Sequence, residues 1–315
     1  MVILKSFLAL STVLVALSLL AACGGGLSLA TPTAEVAQAE QPPAGQAVIE
    51  MPHIHGLGFS PDGRQLVVPA HDGLRIYAEG EWLIPDVPAH DYMGYAPADD
   101  GFYSSGHPDP ASGLVNPLGL VKSTDGGRSL AQLGFAGESD FHLMGVGYQS
   151  HAIYVLNATP NSQLPAGMHY SLDDGQTWQP SALEGVDTQP FRVTVHPTEA
   201  NVVALATEAG LFLSADYGHT FSLVNQNGAV AAATFSPDGQ KLYFGNNWLS
   251  VYDLASQQIQ ALAVPTLVAG DAISFLVVNP VRPQEVALAT FSRAVYLSAD
   301  GGQSWQPIAE GGQAR

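Results

Sequence analysis

The chain from residue 48 onward alternates short apolar runs with turn residues. Residues 59–85 and 235–254 repeat one order: a Ser-Pro-Asp-Gly turn, a short apolar run, and a second polar turn. Short runs rich in β-branched and aromatic residues, bounded by Gly, Pro, Asn and Asp, are typical of strands. The pattern therefore predicts an all-β chain of short antiparallel strands.

A larger unit recurs about every 40–50 residues, which is the length of a four-stranded propeller blade. A solenoid is the alternative, but its repeats would be shorter and more uniform. Closing a ring of blades protects sheet edges that would otherwise be exposed. We predict a six-bladed β-propeller over residues 48–315, closed by pairing of residues 47–51 with the last blade. The units open at residues 55–59, 93–95, 144–148, 193–195, 232–235 and 273–278.

Four copies of an eight-residue string lie within this repeat. The pattern is Ser-x-Asp-x-Gly-x-Ser/Thr followed by an aromatic residue, except that Leu130 ends the first copy. The aspartate can accept backbone N–H groups inside a tight turn, and the glycine supplies a positive φ. We expect these turns to join the third and fourth strands of their blades. Their aspartates, which we interpret as structural, are Asp125, Asp173, Asp216 and Asp300. The string is the Asp box, and through it the chain resembles the BNR-repeat, sialidase-like propellers.

The start of the chain predicts export and lipid attachment. Lys5 precedes an apolar run over residues 7–20, and two alanines then lead to Cys23, the single cysteine of the chain. This order indicates a lipoprotein signal peptide over 1–22 and a diacylglycerol on Cys23. A transmembrane helix is the alternative, although no basic cluster follows the apolar run. Residues 23–47 are rich in Gly, Ala, Thr, Gln and Pro, which predicts a disordered tether.

The net charge and the leader sequence together limit the expected location of the protein and its partners. We expect an extracytoplasmic protein, anchored through Cys23 to the outer face of a bacterial membrane. The chain has 28 acidic residues against 10 lysines and arginines, a formal net charge of −18. Such a surface repels phosphate backbones and attracts cations. We therefore expect no nucleic-acid partner, and we expect no nucleotide cofactor.

The positions of the histidines do not follow the repeat, because six of the ten lie in the first three units. In an antiparallel blade, the first strand begins at the end where the second strand finishes. All six therefore map to one face of the propeller, near the mouth of the central channel and opposite the Asp boxes. We call this the histidine face, and the opposite one the turn face. The six are His53, His55, His71, His90, His107 and His142.

Imidazole, carboxylate and thioether groups together suit a late first-row transition metal, so the histidine face predicts a copper or zinc site. Residues two apart on a strand point the same way, which lets His53 and His55 act together. The favoured ligands are His53, His55, His107 and His142. Secondary candidates are His71, His90, Met93 and Met144. The histidines interpreted as structural are His151, His169, His196 and His219.

A closer resemblance introduces an alternative function. The stretches HIHGLGFSPDG (53–63), HDYMGY (90–95) and DFHLMGVGY (140–148) resemble a family of bacterial surface lipoproteins catalogued as glycosyl hydrolases. The resemblance implies the propeller architecture. It leaves open a hydrolase for a non-sialic sugar, with Asp91 and Asp140 as the best catalytic pair. Other groups weighed for that site are the carboxylates Asp72 and Glu138 and the stacking rings Tyr92 and Tyr103.

A sialidase is not expected from this sequence. Its site needs three arginines that converge on a carboxylate. Only Arg192 and Arg293 map to the histidine face, so the triad is absent. A third alternative is a non-catalytic assembly or receptor module, for which the sequence indicates no particular protein partner.

Overall fold

The computed structural model describes residues 48–226 and 228–314. The predicted signal peptide (1–22), the lipidation site Cys23 and the tether up to residue 47 lie outside these residues. Within the two described ranges, no helix is both long enough and apolar enough to cross a bilayer.

Six antiparallel sheets follow one another along the chain, and most neighbouring strands within each sheet are joined by short turns. The first three blades are formed by Gly58–Phe59, Leu66–Ala70, Gly73–Ala78 and Glu81–Leu83; by Ala96–Ala98, Gly101–Ser104, Leu120–Ser123 and Ala131–Gly134; and by Met144–Val146, Ile153–Asn157, Gly167–Ser171 and Gln179–Ser181.

The last three blades are formed by Pro190–Val195, Val203–Thr207, Gly210–Ser214 and Ser222–Asn225; by Ala232–Phe235, Lys241–Gly245, Leu249–Asp253 and Ile259–Leu262; and by Ile273–Val278, Val286–Thr290, Val295–Ser298, Gln306–Glu310 and Gln313–Ala314. The first strands of adjacent blades contact one another around the ring, including those of blades one and six. The predicted six-bladed propeller is confirmed.

Burial explains why the strands differ in composition. The second strands Leu66–Ala70, Val203–Thr207 and Val286–Thr290 are buried at every position, because neighbouring blades cover both of their faces. By contrast, the fourth strand Ile259–Leu262 is exposed at three of its four positions. The core therefore lies between the blades, and the exposed fourth strand lies at the rim.

The ring is closed by the segment that precedes blade one. The Met51 amide donates to the Gly312 carbonyl at 2.6 Å, and the Ala314 amide donates to the Ile49 carbonyl at 2.9 Å. Trp82 of blade one also donates its indole N–H to a carbonyl of blade six. Pairing of this segment with the last blade, as predicted, is confirmed for residues 49–51.

The four Ser-x-Asp turns share one hydrogen-bond pattern, seen in the turn of blade three. Ser171 Oγ donates to Asp173 Oδ1 at 2.8 Å and accepts the Gly175 amide at 2.9 Å, while the Thr177 amide and hydroxyl donate to the same carboxylate at 2.8 and 2.7 Å. Each turn follows a third strand, which places it on the turn face as predicted. The equivalent carboxylates of the other three turns are Asp125, Asp216 and Asp300.

Blade two departs from the repeat. Asp91–Tyr92 pairs with Gly106–His107 in an additional two-stranded sheet, and the 3-10 helix Pro110–Ser112 follows it. The first strand of blade two consequently begins at Ala96, beyond the predicted opening at 93–95. The extra sheet lies on the histidine face and brings polar residues of blade two toward blade one.

Candidate functional site

Blade one contributes three imidazoles from one short ladder. Ile54 pairs with Ala70, which places His53 directly opposite His71, with His55 two residues farther along. Opposed residues of an antiparallel ladder, and residues two apart on a strand, share one face of the sheet. The ring centroids of His53 and His55 are 4.7 Å apart, and those of His55 and His71 are 5.8 Å apart.

The extra sheet of blade two contributes Asp91 and His107, which are paired directly opposite each other. The sheet depends on Gly106, whose φ is +124°. A Cβ at this position would lie 2.0 Å from the Asp91 carbonyl oxygen, so only glycine permits the close approach. The Asp91 carboxylate and the His107 imidazole therefore project from the same side of the sheet.

The loop before blade three contributes Asp140 and His142. Phe141, which lies between them, is 1% exposed and its amide donates to Ser105 Oγ at 2.8 Å. With Phe141 held in the core, its two neighbours face the channel mouth. Asp140 Oδ2 lies 3.3 Å from both His107 Nε2 and His142 Nδ1.

Asp91 is the centre of the tightest group. Its Oδ2 lies 2.8 Å from His71 Nδ1, and its Oδ1 lies 3.3 Å from His55 Nε2. One ligand atom from each of these three residues falls within 4.8 Å of the other two. Among the described residues, His55 Nε2 and Asp91 Oδ1 are buried atoms without a hydrogen-bond partner, and so is Asp140 Oδ1. Buried polar atoms normally have a partner, so three such atoms at one site are available to a water molecule or an ion.

Electrostatics keep the imidazole of His55 neutral. Burial, reinforced by the positive charge that His53 and His71 can carry, lowers the pKa of His55 to about 4. At neutral pH its ring therefore has a free lone pair, which is the form that binds metals. Burial also raises the pKa of Asp91, and the nearby His71 opposes this shift.

The secondary candidates fall into two kinds. His90 is buried, and its Nδ1 accepts the Asp109 amide at 2.8 Å, so one ring nitrogen is already occupied. Met93 and Met144 line the central channel together with His55. Both methionines thus line the same channel as His55, whereas His90 is turned into the supporting loop.

The two other carboxylates considered for a hydrolase form contacts away from the histidines. Asp72 pairs with the buried Arg75, whose Nη2 lies 2.7 Å from its Oδ1. Glu138 accepts the Ser162 amide at 2.8 Å and its hydroxyl at 3.0 Å. Of the carboxylates considered, Asp91 and Asp140 are the two that meet the histidines.

The expectation that Tyr92 or Tyr103 stacks on a bound sugar is wrong. Both side chains are 0% exposed, because they pack inside blade two.

The two arginines of the histidine face contact different parts of the protein. Arg192 lines the central channel, whereas Arg293 donates Nη1 to the Pro52 carbonyl at 3.2 Å.

Two supporting residues were missed by the sequence reasoning. Asn116 Oδ1 lies 2.7 Å from His107 Nδ1, and Ser105 Oγ accepts the amide of Phe141. Both lie between the second and third strands of blade two, where blades one, four, five and six have short turns. The unusual length of this connection was the available signal.

Comparison with known proteins identifies the fold. No family model and no curated protein matches the sequence. Solved structures with a similar fold include a GH74 enzyme from Niastella koreensis, with 15% identity and a TM-score of 0.53 over 84% of this chain and 47% of that one. A GH74 xyloglucanase from Xanthomonas campestris has 17% identity and a TM-score of 0.52 over 84% and 46% of the two chains.

A third similar structure is the extracellular domain of a hybrid two-component system from B. thetaiotaomicron, with 12% identity and a TM-score of 0.51 over 82% of this chain and 33% of that one. The chain spans less than half the length of each of these proteins. At such identities the likeness shows the fold alone. The protein has a six-bladed propeller fold similar to those of the GH74 enzymes.

Proposed function

We propose that this protein binds a transition-metal ion, copper or zinc, at the channel mouth on the histidine face. The central ligands are His55, His71 and Asp91. This set differs from the one favoured from the sequence: it keeps His55, takes up the secondary candidate His71 and adds Asp91. His53 is not in the group, and His107 and His142 meet Asp140 instead. The observation that carries the proposal is the group of three ligand atoms within 4.8 Å of one another. Two of these atoms are buried without a hydrogen-bond partner, and a metal ion would satisfy both.

The surrounding residues suit such an ion. Asp140 lies between His107 and His142. The Nδ1 atom of His107 contacts Asn116, and the Nε2 atom of the same ring faces Asp140. Partners of this kind fix the tautomer and direction of a ligating imidazole. The thioethers of Met93 and Met144 nearby favour copper over zinc.

The test compares histidines of the two faces. In the variant that combines His55→Ala with His71→Ala, we expect loss of Cu²⁺ and Zn²⁺ binding in an isothermal titration, with an unchanged circular dichroism spectrum. His219→Ala, in an exposed turn on the other face, is the matched control and should bind as wild type does. Equal affinity of the double variant and the wild type would contradict the proposal.

A glycoside hydrolase is the second candidate, and one observation favours it. Burial raises the pKa of Asp91, and Asp140 adds to that shift, which suits a general acid beside a second carboxylate. A panel of neutral aryl glycosides tests this candidate, and Asp91→Asn should abolish any hydrolysis. If the wild-type protein hydrolyses none of them, this candidate fails. Sialosides should not react, because Arg192 and Arg293 do not converge.

We further propose that the protein is extracytoplasmic and is held to a membrane by a lipid on Cys23. The leader sequence supports this proposal. Cys23→Ser should release the protein from the membrane fraction or block its maturation. A variant that remains in the membrane fraction at the size of the uncleaved chain would instead indicate a transmembrane anchor.

A further inference from the structure

Arg192 has an unusual position in the central channel. It lies on the first strand of blade four and lines a cavity of about 160 Å³ that His55 and His142 also line. Its Nε donates to the Ser274 carbonyl at 3.2 Å, and its Cζ lies 3.8 Å from the centroid of the Phe275 ring. Blade six thus fixes one edge and one face of the guanidinium group.

The remaining donors of Arg192 have no carboxylate partner. A guanidinium group has five N–H donors, and the Ser274 carbonyl takes one of them. Across the described part of the chain, ion pairs with carboxylates involve Arg64, Arg75, Lys122 and Arg282, but not Arg192. This is notable in a chain with 28 acidic residues and 10 lysines and arginines.

An unpaired charge in such a place is costly. Burial lowers the pKa of Arg192 to about 10, so the group remains protonated at neutral pH. Arg192 is partly buried, and a partly desolvated cation is commonly compensated by a counter-ion. The contact with Phe275 offsets only part of the cost, since a cation–π contact leaves the guanidinium charge in place.

The cavity beside Arg192 is largely apolar. Leu57, Phe59, Val195 and Leu276 line it. We propose that the channel binds a small organic carboxylate, whose carboxylate group pairs with the free Nη edge of Arg192 and whose apolar body lies in the channel. His55, a proposed metal ligand, lines the same channel, but the pairing of the carboxylate with Arg192 does not require a bound metal ion.

A carboxylate fits these residues better than a phosphate or a sulfate. The guanidinium fork matches the two oxygens of a carboxylate in one plane. A single arginine among apolar walls neutralises one negative charge, and a dianion would carry an uncompensated second charge into the channel. The net charge of the chain, −18, further disfavours a dianion.

Butyrate and its neutral analogue butyramide test this inference. Titrations use the purified protein at pH 7.5 with a chelator present, so that the result is independent of the metal site. We expect saturable binding of butyrate and at least about tenfold weaker binding of butyramide, the usual loss for a charge-assisted pair. Arg192→Gln should lose the preference for the anion. Arg293→Gln, on the same face, is the matched control and should behave as wild type.

The inference is overturned if butyrate and butyramide bind equally well, or if neither binds to the wild-type protein. Retention of the full preference by Arg192→Gln would also overturn it. Arg192→Lys keeps the charge without the fork and should bind butyrate with intermediate affinity. The comparison of the two probes on wild-type protein remains decisive even if a variant does not fold. Binding of butyrate without any metal binding would support this inference while the metal proposal failed.

Discussion

Two groups of histidine and aspartate lie at opposite ends of the first blades, and their compositions are nearly the same. On the histidine face, His55, His71 and Asp91 each offer a ligand atom within 4.8 Å of the others. On the turn face, Asp99, Asp100 and His151 do the same. Proximity of ligand atoms alone does not separate the two groups, but their partners do.

The group on the turn face is internally satisfied. His151 Nε2 lies 2.7 Å from Asp99 Oδ1, and its Nδ1 lies 2.8 Å from the hydroxyl of Tyr103. Lys122 Nζ lies 2.8 Å from Asp100 Oδ2 and supplies the positive charge that a metal ion would bring. We therefore interpret this group as an ionic network that joins blades two and three, as expected for a structural His151.

The group on the histidine face has orphaned atoms instead. No lysine or arginine pairs with Asp91 in the described residues, and both His55 Nε2 and Asp91 Oδ1 are buried without a hydrogen-bond partner. The unsatisfied buried atoms, and not the number of nearby ligand atoms, are therefore what supports the proposed site on the histidine face over the network on the turn face.

The largest expected effect comes from changing the carboxylate in each group. Asp91→Asn should weaken metal binding by about 100-fold or more, because changes even to outer partners of metal ligands cost 10- to 100-fold. Asp99→Asn should leave metal affinity unchanged. Competition titrations against a chromophoric chelator measure both. Equal losses in the two variants would remove the distinction between the faces.

A smaller effect should appear in stability when a turn is changed. Ser214→Ala removes the hydroxyl that accepts the buried Gly218 amide at 3.0 Å and donates to Asp216 at 2.7 Å. We expect the free energy of unfolding to fall by about 1–3 kcal/mol, the cost of an unsatisfied buried donor. Urea denaturation measures the loss, with the exposed Ser222→Ala as control. Metal affinity should not change.

The turn face should also set the acid limit of stability. Hydrogen bonds from the serine or threonine four residues on lower the pKa values of Asp125, Asp216 and Asp300 to about 2. Because the folded values lie below the ordinary one, this stabilisation is complete above about pH 4 and is lost as the pH falls toward 2. Thermal unfolding across this range should show the decline. Asp216→Asn should flatten it, and an unchanged slope in that variant would contradict the assignment.

The smallest effect is expected at His90. Its Nδ1 accepts the Asp109 amide, and an asparagine side-chain oxygen can replace that acceptor. His90→Asn should therefore keep metal affinity unchanged while His90→Leu lowers stability. If the folded His90→Asn variant lost metal binding, His90 would have to be counted as a metal ligand.

The sequence predicts the turns better than the site because the turns depend on contacts between residues close in sequence. The site depends on contacts between residues far apart in sequence. Each Ser-x-Asp turn closes hydrogen bonds within five residues, so its string of residues suffices to predict it. The histidine face follows from strand direction, which the repeat reveals. The pairing of Asp91 with His107, by contrast, depends on a connection peculiar to blade two.

Similar local strings also acquire different roles in the fold. HDYMGY and FHLMGVGY both place a histidine shortly before a methionine and a strand. His90 accepts an amide from residue 109, whereas His142 lies 3.3 Å from Asp140 at the channel mouth. Arg192 mapped to the histidine face from sequence, but the absence of a carboxylate partner is a property of side-chain packing.

Metal uptake by the wild-type protein tests the central claim most directly. Purified protein is stripped with a chelator, dialysed against Cu²⁺ or Zn²⁺ at pH 7.5, and analysed for bound metal. We expect one ion per chain, released at acidic pH because imidazoles that ligate a metal must be unprotonated. Protein that takes up no stoichiometric metal, or that keeps it unchanged at low pH, would contradict the account.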